Sequence, residues 1–129
     1  IISFLKEGLP NNEAIIREQF QISPIYIFVS AVLFAPVLEE LIFRQSFRNI
    51  INNKWLFIII SGLVFGGMHV FNGENITLID MLYIIPYSAP GMAFAYMLYK
   101  TDNIFVPMGF HMFHNGIMVA LQFLLVYFI

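Results

Sequence analysis

The stretch IYIFVSAVLFAPVLEELIFR, residues 25–44, decides the class of fold, because it places charges inside a long apolar segment. No charged residue occurs from position 25 to 38, and then Glu39, Glu40 and Arg44 follow. About 20 mostly apolar residues cross the hydrocarbon core of a bilayer. An ionisable side chain at its centre costs roughly 2.5 kcal/mol or more, so it is a functional candidate by default. The stretch therefore predicts a membrane-spanning helix whose charged residues are candidates for a functional site.

The composition of the whole chain agrees with an integral membrane protein. Of its 129 residues, 60% are hydrophobic and only 11% are charged, whereas soluble domains carry about 25% charged residues. The net charge is −2 and no basic cluster occurs, which argues against a nucleic-acid partner. The absence of cysteine excludes disulfides, thiolate catalysis and cysteine-based zinc sites.

Four apolar segments are long enough to cross a bilayer, and short polar turns separate them. They cover residues 24–47, 55–71, 77–99 and 104–129. The predicted fold is an all-α, multi-pass transmembrane bundle of about four spanning helices. The third segment contains Pro86, Pro90 and Gly91, which predict a kink or a break. That helix either bends around a cavity or is a bent packing helix without a function of its own.

Residues 1–23 have a different character, and we treat them as a separate segment from the membrane domain at 24–129. Charged residues alternate there with apolar ones, and Asn11 or Asn12 is placed to cap a short helix. The segment is predicted to be an interfacial amphipathic helix, a linker or a partly ordered tail. Its charged residues are Lys6, Glu7, Glu13, Arg17 and Glu18, and they lie among apolar residues such as Ile15, Ile16 and Phe20.

Basic residues predict the orientation in the membrane. Arg44, Arg48 and Lys54 surround the first loop and Lys100 the third, whereas the second loop carries the acidic Glu74 and Asp80. The positive-inside rule then places the first and third loops in the cytoplasm. We expect a multi-pass protein of a bacterial plasma membrane.

Helical geometry gives the two adjacent glutamates different neighbours. Glu40 and Arg44 stand at i and i+4, where an acid and a base pair well. Glu39 points about 100° away from Glu40 and has no such partner. A buried carboxylate that is not paired suits proton transfer. Glu39 is therefore the candidate general base, and Glu40 with Arg44 the supporting pair.

Two later segments add polar side chains at helical spacing. Phe65 and His69 stand at i and i+4, as do His111 and Asn115, so each pair shares one helical face. At about 1.5 Å per residue, Glu39 and His69 differ in depth by only about 6 Å. His111 lies on the same side of the membrane, and His114 follows it by three residues. Side chains from three segments are thus predicted to meet in one region.

These three motifs together resemble those of the CPBP family, the CAAX proteases and bacteriocin-processing enzymes, also called the Abi family. APVLEELIFR resembles its EExxxR motif, FGGMH (residues 65–69) its FxxxH motif, and HMFHN (residues 111–115) its HxxxN motif. The motifs follow in the family's order on separate apolar segments, and the resemblance covers residues 24–127. His114 is extra to the pattern. Family members usually carry further N-terminal helices, so more helices upstream are expected.

The resemblance implies an intramembrane endopeptidase that hydrolyses membrane-associated substrates, either prenylated CAAX-like peptides or leader and regulatory peptides. It implies that Glu39 activates water with help from His69, and that His111 and Asn115 form the oxyanion hole. Glu40 and Arg44 would brace the site, with Phe65 as support. No metal or other cofactor is implied for a glutamate-type site.

Two alternatives stay open from the sequence. In the first, the protease is metal-dependent, and Glu39, His69 and His111 hold zinc with a water as fourth ligand. In the second, the chain is a non-catalytic bacteriocin-immunity or partner-binding membrane protein that keeps these residues as a polar network.

Overall fold

The computed structural model describes residues 11–71 and 75–128, and this part of the chain is helical without a strand. It forms six helices: α1 (Asn11–Ile22), α2 (Pro24–Ile50), α3 (Lys54–Val70), α4 (Leu78–Leu82), α5 (Ile84–Thr101) and α6 (Phe105–Phe128). The predicted all-α class is confirmed. Lys6, Glu7 and Glu74, which entered the predictions for the first segment and the second loop, lie outside the described residues.

Among the described residues, three helical segments are long and apolar enough to cross a membrane. They are α2, the stretch Leu78–Thr101 that joins α4 to α5, and α6. The second predicted span is α3, which is apolar but has 17 residues, the lower end of the range for a spanning helix. Large apolar side chains such as Ile50, Trp55 and Phe105 are exposed along these helices, as expected for a surface that faces lipid.

Local signals in the sequence set the helix ends. Pro24 lies in the first turn of α2, where its missing N–H costs nothing. Asn53 caps α3, and its side-chain oxygen accepts a hydrogen bond from the Leu56 N–H at 3.0 Å. Asp102 is the C-cap of α5, and its φ of 49° lies in the left-handed region. The helix ends fall within three residues of the predicted ones.

The predicted interruption of the third segment lies at Tyr83, between α4 and α5. Thr77 and Asp80 form a capping box that starts α4. Pro86 then falls in the first turn of α5, where a backbone N–H is not required, and Pro90 lies inside α5. The break thus precedes Pro86 by one turn.

Helix α2 departs from α-helical geometry at two places. Residues Val29–Phe34 and Glu40–Gln45 are π-helical. The Ala35 N–H therefore donates to the Ser30 carbonyl, five residues back rather than four. Single π-helical turns inside α-helices occur frequently at functional sites. Here the two turns bracket Ala35–Glu39, the short α-helical segment that carries Glu39.

Small residues let α3 pack closely on α5. A Cβ added to Gly62 would lie 2.9 Å from the Met92 backbone nitrogen, and one added to Gly66 would lie 2.8 Å from that of Ser88. Both distances are shorter than real Cβ contacts allow. The close approach brings the second half of α3, which carries Phe65 and His69, next to α5.

Of the basic residues assigned to the first and third loops, Arg48, Lys54 and Lys100 lie at one end of the bundle, whereas Arg44 is fully buried beside Glu40. The Lys54 Nζ lies 5.4 Å from the Tyr96 ring and 5.8 Å from the Tyr99 ring. Arg48 lies 4.9 Å from the Tyr99 ring, and Lys100 lies 5.9 Å from the Tyr96 ring. Cations and tyrosines gathered at helix ends are typical of a membrane interface.

Candidate active site

The two adjacent glutamates of α2 face different surroundings. Glu40 is fully buried, and its Oε2 lies 3.3 Å from the Nε of the equally buried Arg44. Glu39 is 22% exposed and lines a cavity. Glu40 thus has an ion-pair partner inside the protein, and Glu39 faces the cavity.

Arg44 is enclosed by aromatic rings as well as by Glu40. Its guanidinium carbon lies 4.5 Å from the centre of the Phe65 ring and 5.7 Å from that of Phe94. A cation over an aromatic face is stabilised by the ring's quadrupole, more strongly where water is excluded. Phe65 also meets Phe43 edge to face at 5.8 Å, so it joins α2 to α3 beside the site.

His69 is held in one orientation by its own helix and by α5. Its Nδ1 lies 2.9 Å from the Phe65 carbonyl oxygen. Because a carbonyl only accepts, we assign the proton to Nδ1, and a neutral ring then presents the lone pair of Nε2. That Nε2 lies 3.7 Å from the Glu39 Oε1. The ring lies between those of Phe65, at 4.3 Å, and Tyr87, stacked at 5.7 Å.

His111 joins both glutamates. Its Nδ1 lies 2.8 Å from the Glu40 Oε1, and both side chains are buried. Its Nε2 lies 3.4 Å from the Glu39 Oε2. Because Glu40 is paired with Arg44, its carboxylate accepts and the Nδ1 of His111 donates. The Phe94 ring stacks on the imidazole at 4.7 Å. Glu40 is therefore the common partner of Arg44 and His111.

Asn115 lies one turn after His111 on α6 and reaches back to α2. Its Nδ2 donates to the Ala31 carbonyl oxygen at 2.8 Å. The amide carries two N–H groups, so this bond uses one of them. Asn115 and His111 line the same cavity but bond to different partners.

A cavity of about 300 Å³ brings the predicted site residues together. Glu39, His69, His111 and Asn115 all border it, and the exposed His114 stands at its edge. The rest of the wall is mostly apolar, and consists of Ile16, Ala31, Ala35, Phe65, Tyr87, Pro90, Phe94, Met118, Val119 and Gln122. Polar groups that converge in an otherwise apolar cavity are typical of a ligand or substrate site.

Sequence reasoning missed three contributors to this site. Tyr87 and Phe94 stack on the two histidines, and the Ala31 carbonyl holds Asn115. The aromatic residues lack a signal because an apolar bundle is rich in them. The link between Glu40 and His111 joins residues 71 positions apart. It could have been anticipated only from the rule that a working histidine has an acceptor on its second nitrogen.

A catalytic zinc site requires three protein ligands that converge on one point. Within residues 11–71 and 75–128, no group of three or more His, Asp or Glu side chains converges as metal ligands would. The separations from Glu39 to His69 and from Glu39 to His111 are 3.7 and 3.4 Å. We therefore derive no step through a metal ion.

The chain matches one protein family over most of its length. Residues 21–117 match the family described as type II CAAX prenyl endopeptidase Rce1-like. This range contains all three motifs and the cavity residues Glu39, His69, His111, His114 and Asn115, whereas Gln122 lies beyond it.

Three similar proteins extend this comparison. The chain is 31% identical over 115 residues to a Bacillus subtilis protein named "Putative membrane peptidase YdiL". It is 31% identical over 125 residues to an uncharacterized protein of Mycoplasma capricolum, and 32% identical over 124 residues to the "Membrane-embedded CAAX protease MroQ" of Staphylococcus aureus. The alignments cover 87%, 91% and 89% of this chain. They cover 43%, 35% and 46% of those proteins, so the chain spans less than half of each relative. No solved structure matches the chain at a comparable level.

Proposed function

The chain belongs to the Rce1-like family of type II CAAX prenyl endopeptidases, and we propose that it is an intramembrane endopeptidase in which Glu39 activates a water molecule. The family match agrees with the resemblance to CPBP proteins drawn from the three motifs. The single observation that carries the mechanism is the approach of two histidine Nε2 atoms to the two oxygens of Glu39, at 3.7 and 3.4 Å.

In this proposal the attacking water lies in the cavity, beside Glu39 and His69. The distance of 3.7 Å between the Glu39 Oε1 and the His69 Nε2 is too long for a direct hydrogen bond, and a water next to the pair can contact both atoms. Glu39 accepts a proton as the water attacks the peptide carbonyl. The lone pair on the His69 Nε2 accepts the other hydrogen of the water, which orients the oxygen for attack.

The negative charge that develops on the peptide oxygen requires donors. His111 supplies one through an Nε2–H, while its Nδ1–H is donated to Glu40. Asn115 supplies a second donor through the N–H that Ala31 does not use. Loss of one such donor typically costs about 10²–10³ in rate.

Proton balance completes the reaction. After the attack, Glu39 carries the proton taken from water and returns it to the nitrogen of the leaving amine, so the peptide bond breaks and the carboxylate is restored. Glu40 and Arg44 hold the site without touching the substrate. Glu40 accepts from the Nδ1–H of His111, and Arg44 pairs with the Glu40 carboxylate.

The proposed substrates are membrane-associated peptides with an apolar portion, either prenylated CAAX-like sequences or leader and regulatory peptides. The mostly apolar wall of the cavity supports this class. The basic residues gathered at one end of the bundle support an orientation with the first and third loops in the cytoplasm. We propose the plasma membrane of a bacterium as the location.

The experiment that tests this function compares membrane peptides from cells that produce the wild type and cells that produce Glu39→Ala. New peptide ends are expected with the wild type and not with the variant, and their sequences define the substrate. Identical sets of peptide ends at equal protein levels would refute the proposal. If Glu39→Ala still protected cells in an immunity assay without any cleavage, the non-catalytic alternative would be favoured.

The metal-dependent alternative is tested separately on purified protein. We expect cleavage to survive dialysis against a strong chelator. Loss of activity on chelation, with recovery on added zinc and zinc bound in proportion to the protein, would favour the metal-dependent mechanism instead.

A further inference from the structure

The Ala31 carbonyl of α2 lacks its usual α-helical partner. In an α-helix its partner would be the Ala35 N–H, but in the first π-helical turn that N–H bonds to Ser30 instead. The next N–H in the same five-residue register would belong to position 36. That residue is Pro36, which has no N–H. The carbonyl is therefore left for a side chain.

The side chain that uses it is Asn115 of α6, at a distance of 2.8 Å. Because the carbonyl can only accept, the bond determines which end of the amide faces Ala31. A carbonyl shielded from water is costly without a donor, so the bond is favoured at this part-buried position. Pro36 itself is buried, while Ala31 and Asn115 border the cavity.

We propose that Pro36 is a positioning residue for Asn115. By withholding an N–H, it keeps the Ala31 carbonyl available as the acceptor that orients the Asn115 amide, with its second N–H directed to the reacting carbonyl. A residue with an N–H at position 36 would compete for Ala31 and release the amide. The orientation is independent of any activity, whereas its effect on rate rests on the proposed function.

The first test measures thermal unfolding in detergent for a cycle of four proteins: wild type, Pro36→Ala, Asn115→Ala and the double variant. Asn115→Ala is expected to lower Tm in the wild type, because the Ala31 carbonyl loses its donor. It should lower Tm clearly less in Pro36→Ala, where the new N–H takes over. Equal decreases in both backgrounds would overturn the proposal.

Pro107→Ala is the matched control. Pro107 is also buried, but it lies near the start of α6, away from Ala31. Asn115→Ala should have its full effect on Tm in that background. If Asn115→Ala lowered Tm as little in the Pro107→Ala background as in the Pro36→Ala background, the effect would reflect a general loss of packing. That result would contradict the specific role of Pro36.

The second test measures cleavage. Pro36→Ala is expected to lower kcat by about tenfold with little change in KM, because a transition-state donor is misplaced. Adding Asn115→Ala should then cost far less than its effect of about 10²–10³ in the wild type. Fully additive losses would contradict the proposal. If the wild type cleaves no peptide, the proposed function fails, and the Tm cycle still decides the orientation.

If Pro36→Ala does not fold, the wild type provides the measurement. The side-chain amide signal of Asn115 in a nitrogen-15 NMR spectrum is identified as the one absent from Asn115→Asp. We expect one of its two protons to be protected from solvent exchange. Rapid exchange of both protons would overturn the proposal.

Discussion

Glu40 is the residue on which the arrangement of the site depends most, and Glu40→Gln tests this. Glu40 is fully buried between Arg44 at 3.3 Å and His111 at 2.8 Å. Glutamine has nearly the same shape, and its amide oxygen still accepts from the His111 Nδ1–H. The change therefore removes mainly the charge and leaves Arg44 buried without its carboxylate. Breaking a buried pair in this way costs about 3–5 kcal/mol.

The assay is equilibrium unfolding in mixed detergent and SDS, followed by the fluorescence of Trp55, the single tryptophan. The double variant Glu40→Gln with Arg44→Met removes both charges, so it should recover much of the lost free energy of unfolding. Glu18→Gln on the exposed face of α1 is the control and should change it by no more than about 0.5 kcal/mol. A loss of less than about 1 kcal/mol of unfolding free energy for Glu40→Gln would contradict the expected cost of a buried unpaired charge. The absence of any recovery in the double variant would contradict it as well.

Two further predictions concern helix packing and the orientation of a histidine. Gly66→Ala should destabilise the protein by about 1–3 kcal/mol, because the new Cβ meets the Ser88 backbone. Gly109→Ala, where nothing lies within 4 Å, should be neutral or stabilising in the same unfolding assay; equal losses for both would contradict the packing argument. Tyr87→Ala removes the ring stacked on His69 and should lower kcat roughly fivefold, as a stack of about 1 kcal/mol implies. Tyr87→Phe keeps the ring and should keep most of the rate; an equal loss in both would assign the effect to the hydroxyl.

Much of the fold follows from local patterns in the sequence. The apolar runs predicted the helical membrane class, and polar turns such as the one at Asn53 predicted the helix ends to within three residues. The spacing of Glu40 and Arg44 predicted their contact because it depends only on helical periodicity. The depth argument brought Glu39, His69 and His111 to one region, and all three border the same cavity. The catalytic roles of these residues stay predictions.

What the sequence did not predict depends on contacts between helices. The π-helical turns of α2 have no pattern that distinguishes them from an α-helix, although Pro36 marks a carbonyl that cannot find its usual partner. The bond from Glu40 to His111 joins α2 to α6. Pro86, Pro90 and Gly91 predict the interruption of the third segment, but the break lies before them at Tyr83, where the short helix that the capping box of Thr77 and Asp80 starts comes to its end.

In the proposed mechanism, Glu39 activates the attacking water. The most direct measurement is the single-turnover rate of purified Glu39→Gln on a peptide that the wild type cleaves, with the unfolding curves of both proteins recorded in the same detergent. Glutamine fills the same space but cannot accept the proton from water. Cleavage is expected to fall by about 10²–10⁴, the usual contribution of a general base, while the protein stays folded. A folded Glu39→Gln variant that cleaves at the wild-type rate would contradict it.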